Sequence, residues 1–228
     1  MGIIENYNRI QDSVRQKALD CGRNPDEITI IAVSKTFPVE DINEAIRNKI
    51  RIFGENKIQE AKIKSFEIIG NYSFHLIGHL QSNKAKDAVS IFDMIHSIDK
   101  LSTAEKVDRE AAEKGKIQQI LIQVNTSGEE SKSGCSPEEA VELCTKISRL
   151  QNINVNGLMT IGPNTDTTDI VKQSFSLLRS LRDEMRCRTG ISLNELSMGM
   201  SGDYEIAIEE GATMLRIGSA IFGKRTYT

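Results

Sequence analysis

The sequence predicts an α/β fold, a single (β/α)8 barrel of TIM type with an extra helix at its N-terminus. Three observations predict it. Short apolar, β-branched runs alternate with amphipathic stretches, giving eight predicted strands in 228 residues. That rhythm implies parallel strands joined by crossover helices. The run Ile28-Thr29-Ile30-Ile31-Ala32-Val33 is almost wholly apolar instead of alternating, as a strand buried on both faces should be. No composition break marks a second domain, so residues 1–228 read as one unit. A doubly wound open sheet is the main competitor.

The elements follow in order. Residues 4–21 form an amphipathic helix, with Ile10, Val14, Ala18 and Cys21 at helical spacing, ended by Gly22 and Pro25. Strand one is 28–33. Pro38 and Val39 open a helix to about residue 48, with Ile42, Ala45 and Ile46 on its inner face. Strand two is 51–54. The turn Gly54-Glu55-Asn56 leads into a helix reaching about residue 66, where Ile58, Ala61 and Ile63 are expected to be buried. Strand three is 73–78, a short helix lies within 81–89, and strand four is 92–96. A clear helix over 101–114 is closed by Gly115, and strand five is 117–124. Residues 125–134 are a polar loop with turn chemistry. Ser136-Pro137-Glu138-Glu139 then opens a helix to about residue 150, with a cap, a Pro in the first turn and acids that suit the helix dipole. Strand six is 153–159, and a loop through Gly162-Pro163 leads to a helix over about 168–186. Strand seven is 193–197, followed by a helix over 203–210 that Gly211 stops. Strand eight is 214–217, and 219–223 form a last turn or short helix.

Composition narrows the function. Hydrophobic residues make up 39% and charged residues 27%, as in ordinary soluble globular proteins. A formal net charge of −3 argues against a nucleic-acid partner. No apolar run approaches the length of a membrane span. The first eight residues carry Glu5 and no basic start, which argues against a signal peptide and for a cytoplasmic location. Cys21, Cys135, Cys144 and Cys187 lack metal-like spacing and are expected as reduced thiols.

A barrel places its chemistry at the carboxyl ends of its strands, often with an anion site after strands seven and eight. Strand one runs into Ser34-Lys35-Thr36. A Lys there can form a Schiff base, since partial desolvation helps it lose its proton. The plainer reading is a solvated Lys that ends a strand. Strand seven runs into Ser197-Met198-Gly199-Met200-Ser201-Gly202-Asp203, and strand eight into Arg216-Ile217-Gly218-Ser219. Both join a glycine-containing turn to a helix start, where backbone amides and the Ser201 and Ser219 hydroxyls can cradle a phosphate. The plainer reading is two ordinary helix caps, with Asp203 as an N-cap. Met198, Met200 and Met214 read as core or cavity lining.

Other motifs fare worse. His75 and His79 have His-x-x-x-His spacing, yet a zinc site of that kind needs a helix and a third ligand, and the segment reads as a strand. They are expected at the barrel mouth or in structural roles. Gly199-Met200-Ser201-Gly202 misses the spacing of a nucleophile elbow, and no His follows His96. Neither a Walker A motif nor a dinucleotide fingerprint is present. Lys84 and Lys86 read as a solvated basic face. What remains is an electrophile-binding Lys facing a phosphate cradle. Two ligand classes fit: a phosphorylated sugar or ketone in a Schiff-base aldolase, or pyridoxal phosphate, which joins an aldehyde to a phosphate. Spacing alone leaves both open.

Ala32-Val33-Ser34-Lys35, Gly54-Glu55-Asn56 with Gln59-Glu60, and His75-Leu76-Ile77-Gly78-His79-Leu80-Gln81 with Asn83-Lys84 form the first part of a longer pattern. Val124-Asn125-Thr126-Ser127-Gly128-Glu129 with Ser131-Lys132, Gly157-Leu158-Met159, Ser197-Met198-Gly199-Met200-Ser201 with Asp203, and Arg216-Ile217-Gly218 with Ile221-Phe222-Gly223 complete it. Taken together, in this order over about residues 28–225, these segments resemble the pyridoxal-phosphate homeostasis protein family. The resemblance implies a barrel like the N-terminal domain of bacterial alanine racemases. It implies that Lys35 carries pyridoxal 5'-phosphate as an internal aldimine. Ser201, Gly218 and Ser219 would hold the phosphate, Arg216 would face the pyridine nitrogen, Asn56 and Met200 would lie near the ring, and His79 would stand at the pocket rim. An Arg at that nitrogen would keep it unprotonated and weaken the cofactor as an electron sink.

The family is regarded as buffering or delivering the cofactor, with no established reaction and with pyridoxal-phosphate-dependent apoenzymes as possible partners. A weak amino-acid racemase is the alternative. Alanine racemases take a second acid-base Tyr from an added β domain. Of Tyr7, Tyr72, Tyr204 and Tyr227, only Tyr204 lies next to the phosphate turn. With the barrel mouth uncovered, a monomer is expected.

Overall fold

β1 (Thr29–Val33) pairs on one side with β2 (Ile52–Glu55) and on the other with β8 (Met214–Ile217), so the sheet closes on itself. The computed structural model describes residues 2–223; Tyr227 lies outside them. Between these ends run β3 (Ser73–Leu76), β4 (Met94–Ile98), β5 (Gln118–Gln123), β6 (Ile153–Met159) and β7 (Glu195–Ser197), each parallel to its neighbours. The closed order β1 to β8 rules out the doubly wound open sheet and bears out the barrel.

The helices are α1 (Ile3–Asp20), α2 (Val39–Arg47), α3 (Ile58–Ser65), α4 (Ala85–Ile91), α5 (Leu101–Glu113), α6 (Pro137–Ile147), α7 (Thr168–Thr189), α8 (Tyr204–Glu209) and α9 (Ser219–Phe222). Their apolar stripes pack on the outer faces of the strands, which explains the unbroken burial of β4. α6 starts as its sequence requires: Ser136 and Glu139 form a reciprocal capping box with Pro137 in the first turn. The extra helix α1 covers the seam of closure. Its Asn6 Nδ2 donates to Ile221 O, its Ser13 Oγ lies 2.9 Å from Tyr204 Oη, and its Lys17 pairs with Glu209.

Inside the barrel, side chains stack in layers. Ile31, Met94, Leu121, Met159 and Met214 form an apolar plug. Two residues further along their strands, His96 and Arg216 make a buried polar layer. Period two in a strand returns both side chains to the same face. Polar groups are therefore delivered one step nearer the strands' carboxyl ends.

Several boundaries differ from the sequence reading. β3 stops at Leu76, and β4 occupies Met94–Ile98, two residues later than expected. α7 continues to Thr189 and ends at Gly190 in the left-handed conformation. On α3 the expected burial of Ile63 is overturned: Ile63 is 65% exposed, whereas its neighbour Lys64 is 6% exposed. Lys64 turns inward because two carboxylates and a carbonyl await its ammonium there. Asp203 is not a side-chain N-cap of α8. Its Oδ1 instead accepts from the Met200 amide at 2.6 Å, across the preceding turn.

Candidate functional site

The strands' carboxyl ends enclose a cavity of about 440 Å³. Lys35, from the end of β1, shares it with Asn56, Met200, Ser201, Arg216, Gly218 and Ser219. Seven of the eight expected site residues therefore meet in one place, although they come from the ends of four strands, β1, β2, β7 and β8. The eighth, His79, is exposed and lies outside this lining, with its imidazole Nδ1 3.8 Å from Asp99 Oδ2. β3 ends three residues before it, so the chain carries His79 outward along the rim.

The turn after β7 is built by backbone demands. Gly199 has φ +91, and a Cβ there would lie 2.6 Å from Ala207 Cβ, so only glycine fits without strain. The carbonyl of Gly199 accepts from Arg216 N, which locks this turn to β8. Ser201 Oγ accepts from Ala220 N at 3.4 Å and links it to the next turn. On the other side, Phe37 and Phe222 stack with ring centroids 5.0 Å apart and close the wall between the Lys35 loop and α9. Asn56 is seated by Gly78, where an added Cβ would come within 2.2 Å of the Asn56 carbonyl oxygen.

Arg216 is 4% exposed. Its Nη1 donates to Ser197 Oγ at 2.7 Å and its Nη2 to Thr160 O at 2.8 Å. Ser197 Oγ lies 2.9 Å from His96 Nδ1, and His96 Nε2 lies 3.0 Å from His75 Nδ1. From Arg216, which lines the cavity, a buried chain thus runs into the barrel, Arg216–Ser197–His96–His75. Burial lowers Arg216 to about 10, still high enough to keep its charge at neutral pH, with Asp203 pulling the other way. Burial lowers His75 to about 4. His96 falls well below its ordinary value, first through burial and then through the neighbouring His75 and Arg216. Both imidazoles are therefore neutral at physiological pH. The two histidines of the His-x-x-x-His spacing are separated: His75 is buried and His79 stands exposed on the rim. Among the described residues no group of three or more His, Cys, Asp or Glu side chains could hold a metal ion.

The donor set suits an aldehyde joined to a phosphate. Lys35 supplies an amine, the two serine-glycine turns supply small polar groups on the same cavity, and Arg216 supplies a cation at its floor. Among the described residues Asn56 Oδ1 is buried with no partner, an unmet acceptor on the wall of this cavity. It would be met by a ligand carrying a hydrogen-bond donor. Sequence reasoning gave no role to Ser197, His96 or Thr160. Each reads as an ordinary residue in or just after a strand, and only barrel closure brings them together, since His96 and Ser197 are 101 positions apart.

Comparison with known proteins agrees with this geometry. Residues 6–226 match the family described as alanine racemase, N-terminal domain, so the chain is a barrel of that class. It is 38% identical over 229 residues to the pyridoxal phosphate homeostasis protein of Aquifex aeolicus, covering all of both chains. It is 41% identical over 231 residues to the Vibrio alginolyticus protein of the same name, covering 99% of each. The chain belongs to the pyridoxal phosphate homeostasis protein family. Among solved structures, PipY of Synechococcus elongatus with PLP bound superposes with a TM-score of 0.82 at 36% identity, over 92% of this chain and all of that one. No described helix is long and apolar enough to cross a membrane.

Proposed function

We propose that this protein binds pyridoxal 5'-phosphate in the cavity, covalently through Lys35, and buffers or delivers it in the cytoplasm. The observation that carries the reading is the shared cavity: the amine after β1, the paired turns after β7 and β8, and the Arg216 cation all line it. The PLP-bound homologue supports the choice of cofactor over a phosphorylated sugar. When bound, pyridoxal phosphate supplies an aldehyde that an amine captures reversibly. Lys35 would attack it through Nζ, forming a C=N bond and releasing water, and hydrolysis would return both partners unchanged. Ser201, Gly218 and Ser219 would hold the phosphate, while Asn56 and Met200 would flank the ring. Arg216 keeps a positive charge at the cavity floor, and a cation beside a pyridine nitrogen opposes its protonation. That weakens an electron sink and suits storage better than racemisation.

Tyr204 gives the racemase reading no help. Its hydroxyl lies 2.9 Å from Ser13 Oγ on α1 and it does not line the cavity. The recipients in this reading are apoenzymes that need the same cofactor. The test loads the protein, mixes it with such an apoenzyme, and follows transfer against free cofactor at equal concentration. Proton exchange at Cα of amino acids is assayed in parallel. Transfer without exchange supports a carrier, whereas exchange abolished by Lys35→Ala would replace the carrier with an enzyme.

A further inference from the structure

Lys64 lies on α3, is not among the residues that line the cavity, and is 6% exposed. Its Nζ donates three hydrogen bonds: to Ser34 O at 2.8 Å, to Glu55 Oε1 at 2.8 Å and to Glu60 Oε1 at 2.7 Å. Glu60 Oε1 also accepts from Thr36 N at 2.5 Å, and Ser34 Oγ donates to Glu55 Oε1 at 2.7 Å. The geometry has a simple consequence. The Ser34 carbonyl belongs to the peptide group just before Lys35, and the Thr36 amide to the one just after. A single ion cluster therefore grips both peptide planes that flank the Lys35 Cα. With only two soft backbone dihedrals per residue, fixing both planes fixes the direction in which the side chain leaves the chain.

The following residue indicates why a grip is needed. Thr36 has φ +69 and is β-branched, a combination that costs energy and persists only where surroundings enforce it. Glu55 is fully buried, and burial pushes its carboxyl upward against the opposing pull of Lys64 and Ser34. An isolated carboxylate would be too costly there, so Lys64 and Glu55 are needed together.

We propose that Lys64, Glu55 and Glu60 act as a clamp on the backbone around Lys35, aiming its amine into the cavity without touching the ligand. They are positioning residues, and the proposal rests on Lys35 as the point of attachment. Cavity contacts would set the affinity for the ring and phosphate, while the clamp would set how readily the amine reaches the aldehyde.

The test separates those two steps. Removing Lys64 strands a buried carboxylate and threatens folding, so the variants alter Glu60, whose side chain is 24% exposed. Pyridoxal phosphate is added to folded wild type, Glu60→Ala and Glu60→Gln. Growth of the Schiff-base absorbance is timed, and the borohydride-fixed peptide is mapped. Pyridoxamine phosphate, which lacks the aldehyde, reports non-covalent affinity. Glu60→Ala should slow Schiff-base formation at Lys35 about tenfold, the scale of a small misplacement of a reacting group. Its affinity for pyridoxamine phosphate should stay within about twofold. Glu60→Gln keeps an acceptor for Thr36 N–H and should recover most of the rate. A folded Glu60→Ala that reacts at the wild-type rate, or one that loses both properties equally, overturns the clamp. Wild type left unmodified at Lys35 would instead overturn the underlying assignment.

Discussion

Lys64 and Arg216 are both buried cations, 6% and 4% exposed, at the same end of one barrel, yet their charges are balanced differently. Lys64 sits between the Glu55 and Glu60 carboxylates. Arg216 donates to a serine hydroxyl and a backbone carbonyl, and among the described residues it has no carboxylate within ion-pair distance. Burying a charge costs several kcal/mol unless a counter-charge offsets it. Lys64 is compensated, and its work is internal to the fold. Arg216 has no directly paired carboxylate among the described residues, Asp203 acting only at longer range, and it lines the cavity. Under the proposed function, Arg216 and not Lys64 is the cation available to a ligand.

The largest expected effect tests the compensated side. Lys64→Met leaves Glu55 buried without its counter-ion and should cost about 3–5 kcal/mol in urea denaturation. A loss below about 1 kcal/mol would remove the contrast.

Next comes pH. His75 is held at about 4, below its ordinary 6.5, so the unfolded chain takes up the proton first. Its stabilising contribution is complete above pH 6.5 and is lost as pH falls toward 4. The loss should be about 3 kcal/mol, at roughly 1.4 kcal/mol per unit. The difference in pH slope between wild type and His75→Phe isolates it; equal slopes would mean that His75 is not kept neutral. Protonation there would also place a like charge in the chain that leads to Arg216.

Arg216→Met should cost less, under about 2 kcal/mol, because it strands two neutral acceptors and no charge. It should nevertheless change the absorbance of added pyridoxal phosphate. A spectrum identical to wild type would show that Arg216 does not face the ring nitrogen. Smallest of all, Ile63→Lys should shift stability by no more than about 0.5 kcal/mol, as expected for a residue 65% exposed.

These two cations also show what could be read in advance. The barrel was legible because eight apolar runs separated by amphipathic stretches leave few other topologies. Lys35, Ser201, Gly218 and Ser219 were legible because barrels gather chemistry at strand ends, and a strand end is visible in sequence. Arg216 was visible in position, but its partners were not, because Thr160 and Ser197 reach it only after β6, β7 and β8 align. Ile63 was misread because periodicity on a helix of eight residues does not choose between adjacent positions. The inward turn of Lys64 instead depends on the carboxylates of Glu55 and Glu60, which the helical pattern does not reveal. His79 stands on the rim but outside the cavity lining, because the strand that leads to it ends at Leu76.

The most direct test of the central claim is the visible absorption spectrum of the purified protein with pyridoxal phosphate, before and after borohydride, followed by peptide mapping. The account predicts a yellow protein whose reduced pyridoxyl group maps to Lys35 and is absent from Lys35→Ala. A protein that stays colourless with added cofactor, or a label on another lysine while Lys35 remains unmodified, would contradict it.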